Sequence, residues 1–162
     1  MKKSEETHKR TVLEAWQSEA AGNLPLVPGK ALGPSPRFFV IGDVPTTSDL
    51  AVGQPFSGPL QSVFEMTLRA LNSKGKASAE DLYVTYLVKA LYPPRQLTVE
   101  KIQQSWLRVA QLEYEVSGCS EVLAVGPVVR QFAGYLNIRA AVPPAPRRGF
   151  VERVRELWQT SR

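Results

Sequence analysis

The 162-residue sequence has only one cysteine, Cys119, and one histidine, His8. A single cysteine excludes an internal disulfide and any metal site that needs several thiolate ligands, iron–sulfur clusters included. We therefore predict no cofactor and no bound metal. The histidine lies close to the N-terminus, within a segment that reads as an arm.

Long apolar runs are also missing from the sequence. No stretch is long enough to cross a bilayer, and the N-terminus lacks the apolar centre of a secretory signal. We predict no membrane partner and a cytoplasmic location. The chain is 43% hydrophobic, and 162 residues suffice for one α/β domain with a proper core but not for two.

The net charge of +5 is concentrated at the two ends. Residues 1–10 carry four basic and two acidic side chains, and residues 147–162 carry five basic and two acidic ones. The ends therefore hold +2 and +3, and the rest of the chain sums to zero. This distribution favours an anionic partner, although terminal charges that are merely solvated remain the alternative.

Residues 1–36 are typical of an arm followed by a linker. The pattern from Thr11 to Ala21 predicts a short helix whose Trp16 is covered either by the domain or by a protein partner. Prolines and glycines crowd the stretch from Gly22 to Pro36, which predicts a linker or an extended wrap. We divide the chain into this arm, 1–36, and a globular domain, 37–162.

The globular part alternates between strand and helix patterns four times. Apolar runs predict strands over 37–42, 82–88, 122–125 and 138–142, and periodic patterns predict helices over 59–71, 98–116, 127–135 and 150–158. This alternation predicts a three-layer α/β/α fold, with a four-stranded, mainly parallel sheet and the first strand at its centre. In such folds ligands bind beyond the carboxyl ends of the strands, so residues 37–58 are expected to hold the site.

The motifs after the first strand resemble those of a known family. Gly42-Asp43-Val44-Pro45, Asp49 and Gly53-Gln54-Pro55-Phe56-Ser57-Gly58 resemble the first motif of the uracil-DNA glycosylase superfamily, and its iron–sulfur branch most closely. Weaker matches cover roughly residues 37–160, at Tyr83–Lys89, Pro93-Pro94-Arg95, Thr98 with Glu100, and Val122–Gly126. The resemblance implies the glycosylase fold and a pocket for a base flipped out of DNA.

The resemblance also implies roles for particular residues. Asp43 takes the place of the acidic residue that orients water, and Phe56 that of the aromatic that stacks on the base, with Gly42 and Pro45 completing the pocket. Tyr86 stands where the family reads uracil with an asparagine. A phenol cannot supply the paired donor and acceptor of an amide, and its ring would occupy much of the pocket.

Two further positions depart from the family pattern. Ala90 and Ser105 stand where two of the four cluster-binding cysteines would fall. The family's last loop carries His-Pro-Ser, whereas this chain reads Pro143-Pro144-Ala145-Pro146-Arg147-Arg148-Gly149. Arg147 and Arg148 in this stiff loop are expected to contact DNA phosphates.

These departures predict a non-catalytic glycosylase-like factor in DNA repair or replication. It would bind DNA, or a protein partner through residues 11–20, or both. Its layout, with a Trp-containing arm before the domain, also resembles the psi subunits of bacterial clamp loaders. An active glycosylase with an atypical site and a pure interaction module are the alternatives. Asp43 can also be simply a cap, and Phe56 and Tyr86 simply core residues.

Overall fold

A four-stranded open sheet, with helices packed against it, makes up the mixed α/β fold of this computed structural model, which describes residues 3–58, 61–73 and 78–132. The strands are β1 (Lys30–Ala31), β2 (Phe38–Gly42), β3 (Leu82–Tyr86) and β4 (Glu121–Ala124). Their order is β1-β3-β2-β4, with β2 parallel to both β3 and β4 and β1 antiparallel to β3. The predicted mainly parallel sheet with 38–42 inside it is confirmed. The predicted strand at 138–142 and the predicted last helix lie outside the described residues.

The helices follow the predicted alternation, with additions. They are α1 (Lys3–Ala21), α2 (Thr47–Val52), α3 (Gln61–Ser73), α4 (Val99–Lys101), α5 (Leu107–Ser117) and α6 (Pro127–Gln131). A π-turn, Ile102–Trp106, joins α4 to α5, and a short 3-10 turn, Ala79–Asp81, precedes β3. None of the helices in the described ranges combines the length and apolar character that crossing a membrane requires.

The capping residues explain where the helix of residues 99–117 begins and ends. The Thr98 side chain accepts a hydrogen bond from the Lys101 N–H at 3.2 Å, which satisfies one of the unpaired donors of the first turn. Gly118 adopts a left-handed conformation, with φ of 74°, and terminates the helix. Both ends lie within two residues of the predicted positions.

Every residue of β2 is buried, and alternate side chains enter two separate clusters. Phe39 and Ile41 pack with residues of α1 and of the helix at 99–117. Phe38 and Val40 pack in the other cluster, which also receives Phe64 and Leu68 of α3. Burying one such side chain contributes about 1.5–3 kcal/mol, so all four of these side chains stabilise the fold.

The described residues of the predicted arm and linker, 3–36, pack against the globular part. Leu13 and Ala21 of α1 belong to the same cluster as Phe39, and α1 contacts α5. For the segment after α1, the sequence left open a linker or an extended wrap, and the structure shows the extended wrap. The Val27 N–H of this segment donates to Lys89 O at 2.8 Å. The segment also provides β1, a strand that the sequence did not predict, because two residues between glycines and prolines carry no strand pattern.

Candidate functional site

The loop that follows β2, residues 43–58 and here called the β2 loop, belongs to the segment 37–58 in which the sequence predicts the site. Gly42, the last residue of β2, is buried between two rings. A Cβ at this position would lie 3.1 Å from ring atoms of Phe56 and of Tyr86, so only glycine fits without movement of its neighbours. Pro45 is buried as well. The predicted pocket residues Gly42, Phe56 and Tyr86 therefore do come together.

Asp43, the first residue of the β2 loop, caps α6. Its Oδ1 accepts a hydrogen bond from the Val129 N–H at 2.7 Å, and its side chain is almost entirely buried. Burial raises the pKa of Asp43 from 3.8 to about 6, while the Val129 and Val128 N–H groups and the Arg130 charge act in the opposite direction. Its carboxylate lies directly against Gly126, where any side chain would collide with it. The cap interpretation of Asp43 thus matches the geometry.

Asp49 is the polar centre of the β2 loop. It is fully buried and forms a capping box with Thr46, whose N–H donates to Asp49 Oδ2 at 2.9 Å while the Asp49 N–H donates to Thr46 Oγ1 at 3.2 Å. The Ser57 N–H donates to Asp49 Oδ1 at 2.7 Å. The Asp49 carboxylate therefore caps the N-terminus of α2 and also bonds to the loop that follows this helix.

Tyr86 packs against the β2 loop and bonds to two of its residues. Its side chain is fully buried, and its hydroxyl donates to Asp49 Oδ2 at 2.6 Å and accepts from the Phe56 N–H at 3.0 Å. Burial, followed by the hydrogen bond to Asp49, raises the pKa of Tyr86 far above its ordinary value. Tyr86 therefore stays a neutral hydroxyl, and both of its hydrogen bonds are made within the fold.

Phe56 is held between neighbouring rings. Its ring centroid is 5.0 Å from that of Tyr86 and 6.3 Å from that of Phe64, and only 5% of the residue is exposed. Its backbone is left-handed, with φ of 59°, a conformation that costs free energy in a residue other than glycine. The ring faces core partners, so it does not offer the open face that a stacked base would need.

A shallow cavity of about 290 Å³ lies beside the β2 loop. Of the predicted site residues that the structure describes, Phe56 alone lines this cavity, since Gly42, Asp43, Pro45 and Tyr86 do not line it. The remaining lining is provided by Leu32, Val52, Gln54, Pro55, Ser57, Gln61, Phe64 and Val84. The acidic residue and the tyrosine of the motif therefore do not face this cavity.

The sequence reasoning missed a buried charged cluster that joins β3 and the residues after it to α5. Lys89 Nζ lies 2.7 Å from Glu113 Oε1, with both side chains essentially inaccessible, and Lys89 also donates to Tyr86 O at 2.7 Å. The Thr85 hydroxyl donates to the Glu113 carboxylate at 2.9 Å, and the Tyr83 hydroxyl donates to Oε2 at 2.8 Å. A lysine inside the apolar run 87–92 was the signal that could have revealed it.

Trp16 is the one remaining predicted site residue that the structure describes. Arg147 and Arg148 fall outside the described residues. Trp16 is half-buried on α1, packs against the core cluster, and has the Arg108 guanidinium 4.3 Å from its ring centroid. The domain therefore covers part of Trp16. Among the residues that the structure describes, no three His, Cys, Asp or Glu side chains gather into a group that could hold a metal ion.

The described part of the chain thus defines a mixed α/β protein with an open, mostly parallel sheet and a polar network beneath the loop after its central strand. Compared with models of known protein families and with curated protein sequences, the chain matches none of them.

Proposed function

We propose that this chain is a uracil-DNA glycosylase-like protein of three-layer α/β/α architecture in which the β2 loop stabilises the fold. It acts as a non-catalytic DNA-metabolism factor, in repair or replication. The observation that carries the proposal is the position of the Tyr86 hydroxyl between Asp49 and the Phe56 N–H. In this chain, residues of the motif that resembles the family's site form hydrogen bonds with Tyr86, which stands at the family's base-reading position.

The surroundings of Asp43 support the loss of hydrolysis. A residue that orients a water molecule needs a free carboxylate oxygen facing the substrate. Asp43 is instead 6% exposed and bonded to the first turn of α6. Its raised pKa reflects burial, and no described cationic side chain forms an ion pair with it.

The contacts of Tyr86 support the loss of base recognition in the same way. Reading the uracil edge requires a donor and an acceptor side by side, as an asparagine amide provides. Tyr86 offers one hydroxyl, and both of its hydrogen bonds are used within the loop. Admitting a base would require the Phe56 and Tyr86 rings, now 5.0 Å apart, to separate.

A base-release assay on single-stranded and duplex DNA containing uracil tests this proposal. We expect no release above the background of DNA without enzyme, and no difference between the wild type and Asp43→Asn. A matched titration with the same DNA lacking uracil measures binding. Multiple turnovers that Asp43→Asn abolishes would overturn the proposal and establish the active-glycosylase alternative.

A further inference from the structure

A groove of about 590 Å³ lies between α1 and the extended segment at 26–36, and we call it the α1 groove. Its α1 side is a single stripe, because the contributing residues are three or four positions apart along the helix: Arg10, Leu13, Glu14, Gln17 and Ser18. Pro28, Pro34 and Pro36 contribute to the segment's side. The α1 groove is separate from the β2 loop and shares no lining residue with the cavity there.

Gln17 stands out among the residues of this groove. It is 9% exposed, yet within the described residues its side-chain amide makes no hydrogen bond. The other six buried polar or charged side chains of the described chain all have partners: Asp43, Thr46, Asp49, Thr85, Lys89 and Glu113. A buried amide without a partner destabilises a fold, and because Gln17 lines the α1 groove, a ligand in that groove can supply the missing hydrogen bonds.

We propose that the α1 groove binds an extended peptide segment whose main-chain amide pairs with the Gln17 side chain. A carboxamide supplies one acceptor and two donors, and a peptide group presents the matching C=O and N–H. A phosphate lacks the donor and an ammonium lacks the acceptor. The charged side chains of the lining are one arginine and one glutamate, Arg10 and Glu14, which suits a neutral peptide group better than a nucleic-acid backbone.

The neighbouring strand supports an extended ligand. Within the described part of the chain, β1 is at the edge of the sheet and pairs with β3 on one side only, and Gly29 and Ala31 line the groove. An edge strand offers main-chain groups to an added strand, a recurring mode of peptide recognition. The prolines of the segment fix its backbone before binding, so little ordering entropy is lost on association. This proposal is independent of the function proposed for the β2 loop.

Thermal unfolding of Gln17→Met tests the premise. Methionine matches glutamine in length but carries no polar group, so we expect a melting temperature equal to or above that of the wild type. Gln103→Met, the same change at an exposed position outside the groove, is the control and is expected to melt like the wild type. A fall of several degrees for Gln17→Met alone would show that the amide serves the fold, and would overturn the proposal.

Binding is tested with a positional-scanning library of N-acetylated, C-amidated hexapeptides against the full chain. The best peptide is then titrated against the wild type and both variants. We expect at least tenfold weaker binding to Gln17→Met, unchanged binding to Gln103→Met, and one peptide amide whose N-methylation abolishes binding. The absence of any binding peptide, or equal affinity for both variants, would overturn the proposal. Binding of single-stranded DNA or a free nucleobase that depends on Gln17 would overturn it too.

Discussion

At the level of single residues, the Tyr86 hydroxyl joins two parts of the β2 loop through its contacts with Asp49 and Phe56. Tyr86→Phe removes both contacts and leaves the Phe56 N–H without a partner and Asp49 with one donor fewer. We expect the free energy of unfolding to fall by about 1–3 kcal/mol. Urea denaturation followed by far-UV circular dichroism measures this change.

Tyr114→Phe is the matched control for that experiment. Tyr114 packs its ring edge-on against Phe39, and within the described chain its hydroxyl makes no hydrogen bond. The same loss of an oxygen is therefore expected to change stability by much less. Equal effects of the two substitutions would show that the Tyr86 hydroxyl contributes nothing specific to the loop.

Asp43 gives the stability a defined pH dependence. Its pKa is about 6 in the folded protein and 3.8 without the fold, so the folded state binds more protons between these values. Its contribution is fully present below pH 3.8 and is lost as pH rises through 6, by about 3 kcal/mol in all. The quantity to measure is the free energy of unfolding of the wild type minus that of Asp43→Asn, obtained by denaturation at pH 4 to 7. This difference is expected to fall as pH rises. A difference that is constant with pH would contradict the prediction.

At the level of elements, the pair Lys89–Glu113 links the segment after β3 to α5. Lys89→Met leaves the Glu113 carboxylate buried without its cation and is expected to cost about 3–5 kcal/mol. The double variant Lys89→Met with Glu113→Leu is expected to be less destabilised than Lys89→Met alone. Urea unfolding of the wild type, Lys89→Met, Glu113→Leu and the double variant measures the coupling. Additive effects would show that the two charges do not depend on each other.

The sequence predicted most of the elements because their patterns are strong. Phe38 to Ile41 is an uninterrupted apolar run, and Thr98 and Gly118 provide a clear start and stop for the helix between them. α2 was missed because its first turn lies within a polar run. Its signal was Thr46 with Asp49 three residues later, the spacing of a capping box.

Part of the arrangement around the β2 loop could be predicted from the sequence. Gly42 and Tyr86 are the last residues of two strands that pair in parallel, and Phe56 lies in the loop that follows the first of these strands. Parallel pairing brings the ends of the two strands together, so the contact between these three residues was predictable. The partner of Asp43 was not predictable, because Val129 lies 86 residues away and donates through its backbone, which no side-chain pattern reveals. The role of Asp49 as a shared acceptor is likewise a property of the folded loop.

For the whole molecule, the excess positive charge at the two ends is expected to govern binding to DNA. Arg147→Ala with Arg148→Ala should weaken duplex binding and flatten its salt dependence, by roughly 0.9 of a log–log unit per lost phosphate contact. The loss should be similar for different DNA sequences, because phosphate contacts carry no base information. Fluorescence anisotropy at several salt concentrations measures both quantities.

Arg69→Ala with Arg95→Ala provides the control, since it removes the same charge at two exposed positions of the described chain. It should lower the salt slope less than Arg147→Ala with Arg148→Ala does. Identical slopes for the two double variants would assign the effect to net charge alone. If the wild type binds no DNA, the proposal of a DNA-binding factor fails, and substitution of Trp16 tests the interaction-module alternative.

The contact between Asp43 and Gly126 joins two positions 83 residues apart within one small volume. The carboxylate occupies the space that any side chain at 126 would need, so residue 126 cannot gain a side chain while Asp43 stays. Homologues of this chain are therefore expected to vary at the two positions together. Where residue 126 becomes alanine or larger, residue 43 should become glycine or serine, and α6 should then acquire its cap from another side chain.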